Sequence, residues 1–191
     1  MAIRPQGPER ALPGDLIWRA MTATDLDGVV EVARIAFPDH PEDRACFENR
    51  LALAPDSCFV LPDADQAVRG YLVAYPWRPG SVPALNALID AIPEDAGVFY
   101  LHDLAMHPDV RGGGYTRPMI ERLADQASAD GWPALALVAV NDATAFWARN
   151  GFGVESPPGM AEKLAGYGPD ARYMVRPLSR NRTRAPVLQR P

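Results

Sequence analysis

"VFYLHDLAMHPDVRGGGYTRPMIERL" (Val98–Leu123) sets a strand, a glycine run and a helix end to end. Val98–His107 is rich in aliphatic and aromatic residues and reads as a strand. Thr116–Gly131 has the spacing of a helix that stops at a glycine. Between them stand Arg111, Gly112, Gly113 and Gly114. Three glycines at a helix entrance cost conformational entropy and add no packing. They make sense where a ligand must approach the backbone. The first N–H groups of a helix lack internal partners, and the helix dipole favours an anion beside them. Arg111 adds positive charge, and Pro118 in the first turn presets φ. Two familiar phosphate loops do not fit. No Gly-Lys-Ser/Thr follows, and no G-x-G-x-x-G spacing with a later acidic residue is present. Taken alone, the loop admits a structural turn and a phosphate site alike.

The rest of the chain places this unit. Leu16–Met21 reads as a first strand. Residues 24–37 form a helix, with Thr24 as N-cap and Leu26, Val29, Val30, Ala33 and Phe37 at helical spacing. Residues 41–54 read as a second helix with Pro41 in its first turn. Residues 57–77 hold two β-rich runs around Pro62-Asp63-Ala64-Asp65, an antiparallel hairpin. A proline-punctuated connection covers 78–97, and loops of that length are often functional. After the glycine loop and its helix, "PALALVAV" (Pro133–Val140) is a near-continuous apolar run, hence a strand buried on both faces. "DATAFWARNG" (Asp142–Gly151) is a short helix with Asp142 as N-cap and Gly151 as C′ glycine. "FGVES" and "RYMVRPL" supply two last strands. The order is β-α-α-β-β-β, glycine loop, α-β-α-β-β. It predicts a mixed α/β domain, mostly antiparallel, with one parallel strand pair joined through a helix.

The chain has 191 residues, 48% hydrophobic and 23% charged, with a net charge of -5. That fits one domain over residues 15–178. Residues 1–14 read as a disordered Pro/Gly-rich tail and 179–191 as a basic tail. A mildly acidic chain argues against nucleic acid as partner. Cys46 and Cys58 form no CxxC pair, and His40, His102 and His107 lie at no metal-ligand spacing, so no metal site is expected. No run of about 18 apolar residues suggests a membrane span. The N-terminus lacks the apolar core of a signal peptide, and the expected location is cytoplasmic.

"LAMHPDVRGGGYT" (Leu104–Thr116) and "NDATAFWARNGF" (Asn141–Phe152) together resemble the two signature segments of the GNAT N-acetyltransferase superfamily. The matching positions are Pro108, Arg111, Gly114, Asn141, Ala145, Phe146, Gly151 and Phe152. The resemblance covers about residues 15–178. It implies the GNAT fold, a mostly antiparallel mixed sheet with a splayed parallel pair and flanking helices. It also implies acetyl-CoA as co-substrate. The pyrophosphate would lie on the amides from Gly112 through Gly113, Gly114, Tyr115 and Thr116 to Arg117. The pantetheine would pair with the backbone of Leu104, Ala105 and Met106 and hydrogen-bond Asn141.

Acetyl transfer to an amine needs a proton acceptor, donors for the oxyanion and a leaving thiolate. The oxyanion donor implied is the amide of Ala105 or Met106. Thr116 stands where the family usually has Gly or Ala. Trp147 stands in the cofactor segment where the family often has a tyrosine acid, and an indole does not give up its proton at neutral pH. His102 is the candidate base, and Asp103 is the alternative. Tyr100 is a relay or a replacement acid. Strand alternation puts Tyr100, His102 and Leu104 on one face and Leu101 and Asp103 on the other, barring a bulge. Tyr167 or Tyr173 is expected either to border the acceptor pocket or to form a turn, and Trp77 and Arg78 to stand in its wall. The acceptor is left open among small amines, peptide N-termini and lysines, and a homodimer is compatible with the fold. Two other readings stand beside the enzyme: an acyl-CoA-binding sensor or carrier, which Trp147 favours, and a nucleotide-binding protein using the same loop.

Overall fold

The computed structural model describes residues 16–179. The two tails expected from composition lie outside them. Seven strands form one sheet: β1 (Arg19–Ala20), β2 (Cys58–Pro62), β3 (Val68–Trp77), β4 (Val98–Met106), β5 (Ala134–Ala139), β6 (Gly153–Val154) and β7 (Arg172–Pro177). Their order across the sheet is β1-β2-β3-β4-β5-β7-β6. β4 and β5 run parallel; the other neighbours are antiparallel. The helices are α1 (Leu26–Ala36), α2 (Arg44–Leu53), α3 (Thr116–Ala129), α4 (Thr144–Arg149) and α5 (Met160–Leu164). The expected element order holds, with α5 added between the last two strands.

The sheet separates two apolar layers. Leu26, Val29 and Val32 of α1 and Phe47 of α2 pack on Tyr71, Val73, Tyr75, Val98 and Tyr100. Met119, Ile120, Leu123 and Ala127 of α3 and Trp147 of α4 pack on Leu72, Ala74, Phe99, Leu101 and Leu135. A bidentate Glu121–Arg176 pair ties α3 to β7, and the Arg122 guanidinium lies 4.5 Å over the Phe59 ring of β2.

Four local readings change. The entrance to α1 is capped by Thr22 rather than Thr24. Thr22 and Asp25 form a capping box around a 3₁₀ turn, and Arg19 clasps the Asp25 carboxylate through two 2.8 Å bonds. Helix α2 starts at Arg44 with Asp43 as N-cap, so Pro41 and Glu42 lie outside it. Helix α4 is capped by Ala143, while Asn141 and Asp142 both adopt positive φ (53° and 57°), and the Asp142 amide donates to the Asp170 carboxylate at 2.9 Å. The fourth concerns β4. Val73 of β3 faces Asp103 and Ala74 faces Leu101, which leaves His102 as a bulge with no partner residue. One extra residue reverses the alternation beyond it. Leu104 packs with Leu101 on the α3 face, Ala105 packs with Tyr100 on the other, and Asp103 turns to the Tyr71 side. Asp103 and His102 therefore share a face, contrary to strict alternation.

Gly28 sits inside α1, where glycine costs about 1 kcal/mol against alanine. A Cβ there would stand 2.8 Å from Cγ2 of Val68 on β3. The glycine lets α1 approach the sheet. Replacing Gly28 with Leu is expected to lower stability by about 1–3 kcal/mol through overpacking, read from the midpoint of urea unfolding.

Candidate active site

β4 and β5 pair only at Phe99–Leu135 and Tyr100–Ala136. Beyond these residues the strands part, and a cleft opens through the sheet. Leu104, Leu137, Phe146 and Trp147 line it toward α3 and α4, and Phe37, Glu42, Phe47, His102, Asp103, Val138 and Tyr167 line it toward α1 and α2. The His107 amide bonds the Arg69 carbonyl of β3 at 2.8 Å. Antiparallel alternation then turns the Ala105 backbone toward β3 and the backbones of Leu104 and Met106 toward the gap. The Met106 carbonyl accepts from Nε of Arg111 at 3.1 Å, which fixes the start of the glycine loop to the strand.

The loop has the geometry its composition suggests. Gly112 and Gly114 adopt φ of +78° and +82°, where a side chain is strained. The space a Cβ would fill at each is open to 4 Å. Gly113 differs, since its Cβ would collide with the Tyr115 ring. The α3 N-terminus follows at Thr116, with Tyr115 as N-cap, and the Tyr115 carbonyl accepts from the Trp18 indole at 3.0 Å. Arg117 lies in the first turn. Asn141 is exposed just past the end of β5, and Trp147 is buried edge-on between Phe146 and Phe152 while lining the cleft.

On the α1/α2 side the polar residues form one connected group. Nε2 of His102 lies 2.9 Å from Oε2 of Glu42, with only 4% and 5% of the two side chains exposed. Nδ1 of His102 lies 3.1 Å from the Tyr75 hydroxyl. The Tyr71 hydroxyl donates to Asp103 at 3.0 Å. Behind Glu42 stands Arg50, 1% exposed, its guanidinium 3.9 Å from Oε1. Burial opposes a charge on His102, but the carboxylates of Asp103 and Glu42 outweigh it and raise the imidazole above its usual 6.5. Burial likewise opposes a charge on Glu42; the His102 hydrogen bond and charge, with Arg50, hold its carboxyl below the ordinary 4.5. Burial lifts Asp103 above its usual range despite the neighbouring imidazole. Burial also keeps the Tyr100 hydroxyl protonated far above neutrality. Glu42, His102 and Asp103 each offer a ligand atom within 4.8 Å of the others. A metal would accept that spacing, but the imidazole–carboxylate bond and Arg50 already balance these charges.

The structure thus brings together His102, Asp103 and Tyr100, as the sequence suggested. It adds Glu42, Arg50, Tyr71 and Tyr75, which sequence reasoning missed. Tyr167 lines the cleft, and its hydroxyl donates to the Pro83 carbonyl at 2.6 Å. The Tyr173 hydroxyl instead accepts from the Gly80 amide, and Arg78 pairs with Asp95 at the exposed base of the 78–97 connection. That connection reaches the site through Asn86, at φ +50°. Its amide donates to Oε1 of Glu42, and its side chain exchanges hydrogen bonds with Asp43 at the α2 N-cap. Asn tolerates this left-handed backbone better than alanine does. Asn86→Ala is expected to destabilise the protein by about 1–3 kcal/mol. Asn86→Gly, which relieves the backbone but loses the same side chain, should cost about 1 kcal/mol less, both read by denaturant unfolding.

The model of the "Acetyltransferase (GNAT) family" matches residues 23–152. No curated protein matches the chain. Solved structures share its fold. The GNAT family N-acetyltransferase YhbS from Escherichia coli, in complex with CoA, aligns over 91% of this chain and 86% of its own at 20% identity, TM-score 0.57. N-acetylglutamate synthase from Neisseria gonorrhoeae, complexed with coenzyme A and N-acetyl-glutamate, aligns over 86% of this chain at 18% identity, TM-score 0.66; the match spans 35% of that longer chain. The NatC complex bound to Gag peptide and CoA aligns over 86% of this chain and 99% of the matched one at 14% identity, TM-score 0.65. With well over half of its length matched by the family model, from the turn before α1 to the Phe152 that packs on Trp147, this chain belongs to the GNAT acetyltransferase family.

Proposed function

We propose that the protein transfers an acetyl group from acetyl-CoA to a primary amine by direct attack in a ternary complex. The observation that carries this reading is the cleft through the sheet. It joins the face of the sheet that carries Leu104, Leu137, Phe146 and Trp147 to the Glu42–His102–Asp103 group, where β4 and β5 part. A thioester whose diphosphate rests on the amides of Gly112–Arg117 reaches the gap along Leu104 and Met106, whose backbone groups are turned toward it. The YhbS and synthase structures, both with CoA, support the co-substrate. The synthase product and the Gag peptide complex support an amine acceptor.

The residues divide the chemistry as follows. The amine nitrogen attacks the thioester carbonyl carbon, a C–N bond forms and the C–S bond breaks. The sulfur leaves as the CoA thiolate. With a conjugate-acid pKa of roughly 8.5 it leaves without the tyrosine acid that Trp147 replaces. The amide of Met106 or Leu104, facing the gap, is the donor for the oxyanion. The proton of the amine passes to neutral His102: Nε2–H stays bonded to Oε2 of Glu42, the added proton stands on Nδ1 facing the Tyr75 hydroxyl, and the ring and carboxylate titrate as a unit. Tyr75 accepts from Nδ1 when the ring is charged and donates to it when the ring is neutral, so either state is hydrogen-bonded.

Two experiments test this. The raised pKa of His102 keeps the imidazole mostly charged at pH 6.5 and below, so kcat/KM should climb with pH above 6.5. Glu42→Gln removes one of the two charges that raise the imidazole, the other being that of Asp103. The rising limb should then move to lower pH while kcat falls by about 10²-fold or more. Full turnover by His102→Ala between about pH 6 and 9 would remove the base assignment. Gly114→Val puts a side chain into open space on the loop. It should weaken acetyl-CoA binding about tenfold or more in a calorimetric titration, with a smaller effect on amine KM.

A further inference from the structure

The two mouths of the cleft differ in hydrogen-bonding character. On the α1/α2 side the donors of Tyr167, His40 and His102 already have protein acceptors. The Tyr167 hydroxyl donates to the Pro83 carbonyl at 2.6 Å. Nε2 of His40 lies 2.8 Å from the Tyr167 carbonyl. A carbonyl only accepts, so that nitrogen carries the ring proton. Nε2 of His102 is held by Glu42. What this mouth still offers is acceptor capacity: the carboxylates of Glu42 and Asp103, both in the cleft wall. Among the described residues no lysine or arginine is part of that wall. Arg50 stands behind Glu42, buried, and does not line the cleft. Around the carboxylates the wall is apolar or aromatic, from Ala33, Phe37, Phe47, Leu85, Tyr100 and Tyr167.

Each feature selects. An ammonium entering here finds two carboxylates and loses its hydration to good partners. A carboxylate on the same molecule finds like charge and, apart from the Tyr100 hydroxyl, no donor, which makes it a buried anion without a cationic partner. A polar or multiply charged body meets aromatic walls with nothing to bond. Resting on the acyl-transfer reading above, we infer that the acceptor is a primary amine on an uncharged, apolar body of about the bulk of an aromatic ring, with no carboxylate beside the amine. The amine sits against Glu42 and Asp103, and its body lies among Phe37, Phe47, Leu85 and Tyr167. Free amino acids are rejected by the carboxylates that bind the amine.

The test uses the wild-type protein with acetyl-CoA and follows thiol release on matched amines. Phenethylamine, phenylalaninamide and phenylalanine share one ring and differ beside the amine, by nothing, a neutral amide or a carboxylate. Glutamate and spermidine represent acidic and polycationic acceptors. The expected result is a kcat/KM for phenethylamine at least about tenfold above that for phenylalanine, with phenylalaninamide between them and little release on glutamate or spermidine. Equal rates for phenethylamine and phenylalanine, or the fastest release on glutamate or spermidine, overturn the inference and leave acyl transfer standing. Release from none of the amines, with acetyl-CoA binding intact by calorimetry, overturns the transfer reading and this one with it. Where the order holds, Asp103→Asn should narrow the gap between phenethylamine and phenylalanine, because one of the two repelling charges is gone; an unchanged ratio overturns the role given to Asp103.

Discussion

A single extra residue in β4 organises the catalytic half of the molecule. With His102 bulged out of register against β3, Tyr100, His102 and Asp103 all turn to the α1/α2 layer, and Leu104 returns to the α3 layer beside Leu101. In a regular strand Asp103 would point into the apolar packing of Met119, Ile120 and Leu123, a buried carboxylate without partners. The bulge places it beside His102 and under the Tyr71 hydroxyl. The strand on the other side helps to open the site: β5 follows β4 for only two residue pairs and then turns with β7, to which it is bonded along its whole length from Ala134 to Ala139. Bulge and divergence together leave strand backbone facing a gap, with ionisable groups at one mouth.

Gathering these groups has a cost that the surroundings offset. Removing Glu42, His102 and Asp103 from water disfavours every charge among them. Arg50 reaches the group from within α2, and Asn86 reaches it from the 78–97 connection with a backbone amide on Glu42. The same connection is held down elsewhere: Asn49 bonds both the amide and the carbonyl of Ile89, Tyr167 holds Pro83, and Lys163 reaches the Gly80 carbonyl. The proline-rich segment is therefore part of the site's wall, pinned at Gly80, Pro83, Asn86 and Ile89. Its length is used to carry one left-handed asparagine to a buried carboxylate.

The sequence reveals the parts of this arrangement that depend on backbone conformation. Gly112, Gly114, Gly131 and Gly151 were legible because a positive φ nearly demands glycine, and all four adopt it. The strand and helix order followed from periodicity, and the parallel pair from the helix that joins its strands. Side-chain encounters between distant elements were not legible. Glu42 read as a first-turn helix residue because Pro41 invites that reading, whereas the chain enters α2 two residues later and leaves Glu42 free to reach β4. Arg50 falls inside the stretch read as the second helix, and no local signal marks it as a partner of Glu42. The bulge was invisible for a different reason. Alternation within "FYLHDLAM" looks regular, and only the register against β3 shows that two of its residues answer to no separate partner.

That contrast also explains why the acyl donor is easier to read than the acceptor. On the proposed reading the donor would be held by groups every residue possesses: amides at a helix entrance and along a parted strand. Recognition of that kind leaves a signature in the residues that permit the backbone geometry, so glycines and a left-handed Asn141 mark it. On that reading the acceptor would meet side chains contributed by six separate segments, the end of α1, the loop before α2, α2 itself, the 78–97 connection, β4 and the turn before β7. Each contributes a residue or a few, and none has a local reason to be there. The polarity of the mouth is likewise a property of the assembly. Tyr167 and His40 are donors by composition, and they cease to be available only because the fold supplies the carbonyls of Pro83 and Tyr167 as their acceptors. A cleft that selects cations over anions can therefore be built from residues whose types alone predict neither.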